Sequence, residues 1–190
     1  MSTRTRKLET ELFGRETDFE YSEHWVGYAL VGLRVVMGWV LLQGGLTKLV
    51  TYLDGNPETN WTAAGYLGNA IPAGNPFGFW DAMASAPLVD PLVIWGQILI
   101  GLALLVGVAV RFAAFCGALQ MILFWMSHLE GGIMAGFPIE HGWFVSSHIV
   151  YALLLFGLGA IGAGRILGVD SYLEDLEFVQ ANPWLKYLLG

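Results

Sequence analysis

The chain has little charge and almost no thiol. Only 13% of its 190 residues are Asp, Glu, Lys or Arg, against about 25% in a typical soluble domain. That shortage excludes an ordinary water-soluble fold. The single cysteine, Cys116, excludes an internal disulfide and a CxxC centre. It lies inside an apolar block, where a thiol packs as a small hydrophobe. No GxGxxG, Walker or nucleophile-elbow motif is present, which removes the usual sequence signatures of nucleotide binding and serine hydrolysis. No ligand pair has helical i, i+4 or short-loop spacing, so no zinc site is expected. Nothing beyond a shared depth favours His128 and His148 as axial haem ligands, so no haem is expected either. Nine Lys and Arg against sixteen Asp and Glu give a net charge of −7, which speaks against nucleic acid as a partner.

What is present is apolar and comes in blocks. Hydrophobic residues make up 55% of the chain and its mean hydropathy is +0.57. Leu92–Val110, Phe112–Ser127 and Gly142–Gly164 contain no charge. A fourth block, from about Trp25 to Tyr52, carries Arg34 and Lys48. A spanning helix needs roughly 20 mostly apolar residues. The reading is an all-α integral membrane four-helix bundle, with helices at about 25–52, 91–110, 111–128 and 142–164. The first block is a poor signal peptide, because it follows a long charged tail and no small-residue cleavage pattern follows it.

Basic residues set the orientation. Arg4, Arg6, Lys7 and Arg15 precede the first span, Arg111 lies between the second and third, and Arg165 and Lys186 follow the fourth. Residues 54–91 and 130–141 hold no Lys or Arg. Both termini are therefore expected in the cytoplasm, in a multi-pass plasma-membrane protein. The acid-rich, Lys-poor loops suit a prokaryote of high-salt habitat such as a halophilic archaeon.

Three regions are expected. Residues 1–24 form a cytoplasmic polar tail, partly helical around Glu9–Phe19. Residues 25–164 form the membrane domain. Residues 165–190 form a cytoplasmic tail whose 170–189 stretch reads as an interfacial amphipathic helix. The long segment 54–91, rich in Trp and Phe and broken by glycine and proline, reads as one or two short helices on the outer interface that cap the bundle. Asn60-Trp-Thr62 is a glycosylation acceptor pattern within it.

A charge in hydrocarbon is costly, ~2.5 kcal/mol or more at the centre, so Arg34 and Lys48 need a reason. Arg34, Gly38, Leu41, Gly45 and Lys48 step by four and three and share one helix face. Lys48, near an interface, is able to snorkel. Arg34 is deeper, and its planar donors suit a carboxylate, carbonyl or quinone oxygen. Gln97, His128 and His148 are expected at about the depth of Lys48, and His is able to relay protons near neutral pH. Arg34, Lys48, Gln97, His128 and His148 are thus the candidate polar site for a quinone or anion. Helix-to-helix hydrogen bonding, worth about 0.6 kcal/mol each in membranes, is the plainer alternative. Gly38, Gly45, Gly101, Gly107, Gly162 and Gly164 are candidate packing positions.

These residues resemble the DoxX/DoxD family of small four-helix membrane proteins across roughly 30–172. Arg34…Gly38…Gly45…Lys48 is similar to that family's first-helix pattern. Gln97…Gly101…Gly107-Val-Ala-Val-Arg111 is similar to its second helix and hairpin arginine. His128 falls where its third helix often ends, and Gly162-x-Gly164…Val169-Asp170 resembles its closing pattern. One departure is Gln97, where the family frequently has Glu; Gln is able only to hydrogen-bond. The resemblance implies a membrane subunit of a quinone-linked oxidoreductase system, similar to the DoxD subunit of thiosulfate:quinone oxidoreductase, with a partner subunit or a homo-oligomer. A non-catalytic scaffold recruiting redox or oxidative-stress enzymes is the alternative, and a small-solute transporter, lacking an inverted repeat, is a weaker one.

Overall fold

The computed structural model describes residues 4–72, 74–129 and 145–190. The expected loop at 130–141 and the start of the fourth helix, 142–144, lie outside the described residues.

The N-terminal tail is not helical. It is an antiparallel hairpin of β1 (Thr5–Leu12) and β2 (Arg15–Ser22), in the register Leu8↔Phe19 and Glu9↔Asp18. Phe13 and Gly14 form its turn with φ of 53° and 75°, the left-handed pair that a two-residue hairpin needs. The sequence carries this signal as alternation, with Arg6, Leu8 and Thr10 between Lys7, Glu9 and Glu11. Period two fits a strand and not a helix. The expectation of a partly helical tail around Glu9–Phe19 is therefore corrected to a hairpin, while the rest of the fold is mostly helical.

Helix α1 (Glu23–Val50) follows without a linker and is about 42 Å long. Next come α2 (Ala63–Ala70), α3 (Trp80–Ser85), α4 (Val89–Val106), α5 (Val110–Ser127) and α6 (Ser147–Ile161). The C-terminal segment is not one amphipathic helix. It breaks into the short turns α7 (Asp170–Leu173) and α8 (Glu177–Ala181) and a 3-10 turn at Pro183–Tyr187. Pro183 ends any continuation from α8.

Helices α1, α4, α5 and α6 pack in a ring: α1 on α4, α4 on α5, α5 on α6, and α6 back on α1. Met37, Leu41, Leu104, Val110, Leu155 and Leu158 fill its centre. Three of the four, α1, α4 and α5, are long and apolar enough to cross a membrane. Only about a third or less of each such span is buried in the bundle. The rest is apolar and outward, including Val36, Trp39, Leu102 and Phe115. An apolar exterior of that extent needs lipid.

The tightest contact is between α1 and α4. A Cβ placed on Gly101 would lie 2.5 Å from the Leu42 nitrogen and 2.8 Å from the Gly38 carbonyl oxygen. Backbone cannot yield there as a side chain does. In lipid, close approach of backbones is a main source of helix association. Gly101→Ala is expected to destabilise the protein by about 1–3 kcal/mol, read as a lower melting point in detergent. An unchanged melting point would show that the two helices are free to separate.

Candidate functional site

Buried Arg34 and half-buried Lys48 lie about 21 Å apart along α1, and the structure gives each a different environment. At the Arg34 end, the guanidinium is only 2% exposed. Its Nη1 donates to the Ala163 and Ile166 carbonyls at 2.6 and 3.0 Å, and its Nη2 to the Leu167 carbonyl at 3.0 Å. These carbonyls lie just beyond the C-terminus of α6, where a cation also meets the negative end of the helix dipole. The Asp170 carboxylate is its electrostatic partner.

Asp170 is fully buried and does a separate job. One oxygen accepts from the Ala109 N–H at 2.6 Å; the other accepts from the Val110 and Gly190 N–H groups at 2.9 and 3.0 Å. Helix α5 begins at Ala109–Val110 with no capping side chain of its own. Asp170 supplies the cap from 60 residues away. Gly107, with φ 77°, makes the turn between α4 and α5, and its carbonyl accepts from the Asp170 N–H. Gly164 and Gly162 stand beside this knot. Neither Asp170 nor the carbonyls after α6 belong to the expected site. The buried carboxylate is visible in the sequence only as a lone Asp after a glycine-rich stretch.

The Lys48 end is different. Lys48 Nζ donates to Gln97 Oε1 at 2.9 Å and to the Gly44 carbonyl at 3.0 Å, and lies 5.4 Å from the centre of the Trp61 ring. Such a cation over indole is attracted to the ring face. The 54–91 segment is sewn onto this end. Trp61 N–H donates to Thr51 Oγ1 at 2.8 Å, Ala63 N–H to Asp90 Oδ1 at 2.6 Å, and Asn75 Nδ2 to the Met126 carbonyl at 2.8 Å. Asn60 sits at the end of the 3-10 turn Pro57–Thr59 in this segment.

His128 and His148 stack with ring centres 5.3 Å apart. His128 Nδ1 lies 2.7 Å from the Phe124 carbonyl, and its Nε2 lies 3.3 Å from the Tyr66 hydroxyl. A carbonyl only accepts, so in neutral His128 the proton sits on Nδ1 and Nε2 accepts from Tyr66. Burial raises the Tyr66 phenol above its ordinary range, outweighing a hydrogen bond with Ser127 that lowers it. It is therefore a neutral donor at physiological pH. The structure thus brings Lys48 to Gln97 and His128 to His148 at one end, and leaves Arg34 at the other.

Beside the histidine cluster opens a cavity of about 580 Å³ between α4 and α5. Leu92, Leu99, Ile100, Phe112, Leu119 and Leu123 supply apolar wall; Trp61 and Tyr66 close the Lys48 end. Gln120 faces it, with Nε2 only 3.4 Å from the Val93 carbonyl and a buried Oε1 that has no hydrogen-bond partner. Gln120 and Tyr66 are absent from the expected site, since a mid-span Gln and a loop Tyr carry no periodic signal. Among the described residues, no group of three or more His, Cys, Asp or Glu is placed to hold a metal ion.

A sequence model of the DoxX family matches residues 29–129, more than half of the chain. The chain is a member of the DoxX family. The matched stretch runs from α1 to the end of α5. It contains Arg34, Lys48, Gln97 and His128, and both sides of the cavity. His148 and Asp170 fall beyond the matched DoxX region. No curated protein and no solved structure matches the chain.

Proposed function

We infer that this DoxX protein is the membrane subunit of a quinone-linked oxidoreductase, similar to the DoxD subunit of thiosulfate:quinone oxidoreductase. The observation that carries the reading is the α4–α5 cavity. It is apolar along its length and meets a hydrogen-bonded Tyr66–His128 pair at one end. An isoprenoid quinone has the same division, an apolar tail and a flat head with two carbonyl oxygens. Leu99, Leu119 and Leu123 would hold the tail, and the Gln120 amide would donate to the head beside the Tyr66–His128 pair. Quinone, when bound, supplies two-electron, two-proton redox chemistry.

The residues' own part is proton handling and exclusion of water. Tyr66 lines the cavity, and exposed His128 accepts from it. A proton on the tyrosine hydroxyl therefore has one imidazole between it and water. The Lys and Arg distribution supports four spans with both termini cytoplasmic, so that this pair opens to the outer side. Arg34, engaged by three carbonyls, belongs to the scaffold in this reading. Lys48 and Gln97 brace Trp61 at the cavity's end.

The test is extraction of the full chain, purified in mild detergent, and identification of bound quinone by mass spectrometry. Near-stoichiometric quinone is expected. Leu99→Trp, which fills the cavity from its exposed side, should lower the bound fraction at least tenfold with the melting point kept. Quinone absent from the native chain, or retained in full by Leu99→Trp, overturns the assignment.

A further inference from the structure

The N-terminal hairpin sorts its side chains by face. Alternation along each strand and the register put Glu9, Glu11, Glu16, Asp18 and Glu20 on one face with Lys7. On the other face lie Leu8, Phe19 and Tyr21 with Arg6 and Arg15. All five strand acids are thus on one side, and the apolar residues and both strand arginines are on the other. Lys7 bridges the facing Glu9 and Asp18 at 3.0 and 2.6 Å, but Glu11 faces Glu16 across the strands, and like charges directly opposite destabilise a hairpin. A lone two-stranded hairpin is marginal in water even without that repulsion. Leu8 and Phe19 are nevertheless 42% and 52% exposed. The compensation has to come from something that covers the Leu8/Phe19 face.

The position of the hairpin indicates what covers it. Strand β2 ends at Ser22 and α1, a membrane-spanning length of helix, begins at Glu23. The join is pinned by the Glu23 N–H donating to the Arg4 carbonyl and by the Glu23 carboxylate pairing with Arg6 and Arg4. Trp25 and Tyr28, both exposed, follow within two turns, and such residues sit at the head-group level of a bilayer. The same end of the bundle carries a second set of exposed aromatics, Tyr172, Phe178, Trp184 and Tyr187. The hairpin therefore emerges at an interface, with an apolar and arginine face on one side and its acids on the other.

We propose that the hairpin docks its Leu8/Phe19/Tyr21 face, with Arg15, onto the anionic lipid surface at the N-terminal end of α1, while Arg6 stays paired with Glu23. Apolar side chains enter the head-group layer, Arg15 meets a lipid phosphate, and the acidic face stays in water. Docking gives the hairpin the covered face that two strands lack by themselves. This holds whether or not the α4–α5 cavity takes a quinone.

The experiment uses the full chain in nanodiscs of phosphatidylcholine and phosphatidylglycerol. In a Cys116→Ala background, single cysteines replace Leu8, Phe19, Glu9 or Asp18 and carry a spin label. Labels at 8 and 19 should collide more with oxygen than with a water-soluble nickel complex; labels at 9 and 18 should show the reverse. Replacing the lipid by phosphatidylcholine alone, or Arg15 by glutamine, should weaken the contrast, by about fivefold in the docked-to-free ratio for each arginine–phosphate pairing removed. Equal aqueous access on both faces overturns the proposal. So does shielding of positions 8 and 19 from both reagents, which means a protein covers them. A contrast indifferent to lipid charge and to Arg15→Gln overturns the anionic-surface assignment. A label that unfolds the hairpin abolishes the difference between neighbours 18 and 19; the pair 8 and 9 repeats the measurement on the other strand.

Discussion

Arg34→Leu is expected to lower stability by about 3–5 kcal/mol, the range for breaking one side of a buried charged network. The measurement is the unfolding midpoint in detergent, followed by tryptophan fluorescence. Three carbonyls, those of Ala163, Ile166 and Leu167, lose their donors. Leucine offers none, and no water is freely supplied where the residue is 2% exposed. Relaxation of Leu167, which sits at φ 49°, offsets part of the loss. Such a conformation costs a non-glycine residue about 1–3 kcal/mol and persists only when surroundings dictate it. Arg34 Nη2 is bonded to the Leu167 carbonyl in that conformation. Arg34→Lys should fall between the two, since one ammonium cannot reproduce the spread of two guanidinium nitrogens. A leucine variant as stable as the native chain would mean that the carbonyls find partners elsewhere.

Asp170→Ala is expected to cost a similar amount, about 3–4 kcal/mol, from three buried N–H groups left without an acceptor and a helix cap removed. Its signature differs from that of Arg34→Leu. The Asp170 carboxylate ties the C-terminal segment to the bundle at Ala109 and Val110 and holds that segment's own last residue, Gly190. Limited proteolysis should therefore cut after residue 165 sooner in the variant, while the α1–α4 contact stays protected. Ala109 also holds φ 48° and should relax once its N–H is released. The double variant should lose clearly less than the sum of the two singles, because both charges hold the same knot. Strict additivity would show that Arg34 and Asp170 act independently.

The spans are legible in the sequence because hydrocarbon leaves so little choice. Uncharged runs of the right length give helices α4 and α5 within a few residues of where the sequence puts them. The 54–91 segment is also legible, through its aromatic residues and breakers, as short helices over one end. The hairpin is harder to read for a local reason. Its period of two alternates acids with a mixture of Arg6, Leu8 and Thr10, so no continuous apolar face marks it as a strand. The candidate site is legible in part. Lys48 and Gln97 share a depth, and the structure joins them. Arg34 shares a helix face with Lys48, but a shared face says nothing about what packs against it one or four turns along.

The sequence by itself determined that this is a DoxX-type membrane protein and that Arg34 needs a partner. Composition and helical period depend only on neighbours in the chain, so they are readable from it. Only the tertiary structure decided that the partner is the carbonyl end of a helix 129 to 133 residues away, and that Asp170 caps a helix 60 residues before it. The make-up of the α4–α5 cavity wall was decided there as well, since Gln120 and Tyr66 line one cavity only when the loop folds back. Contacts between distant segments leave no period in a sequence, and a helix's unsatisfied carbonyls have no side-chain letter at all.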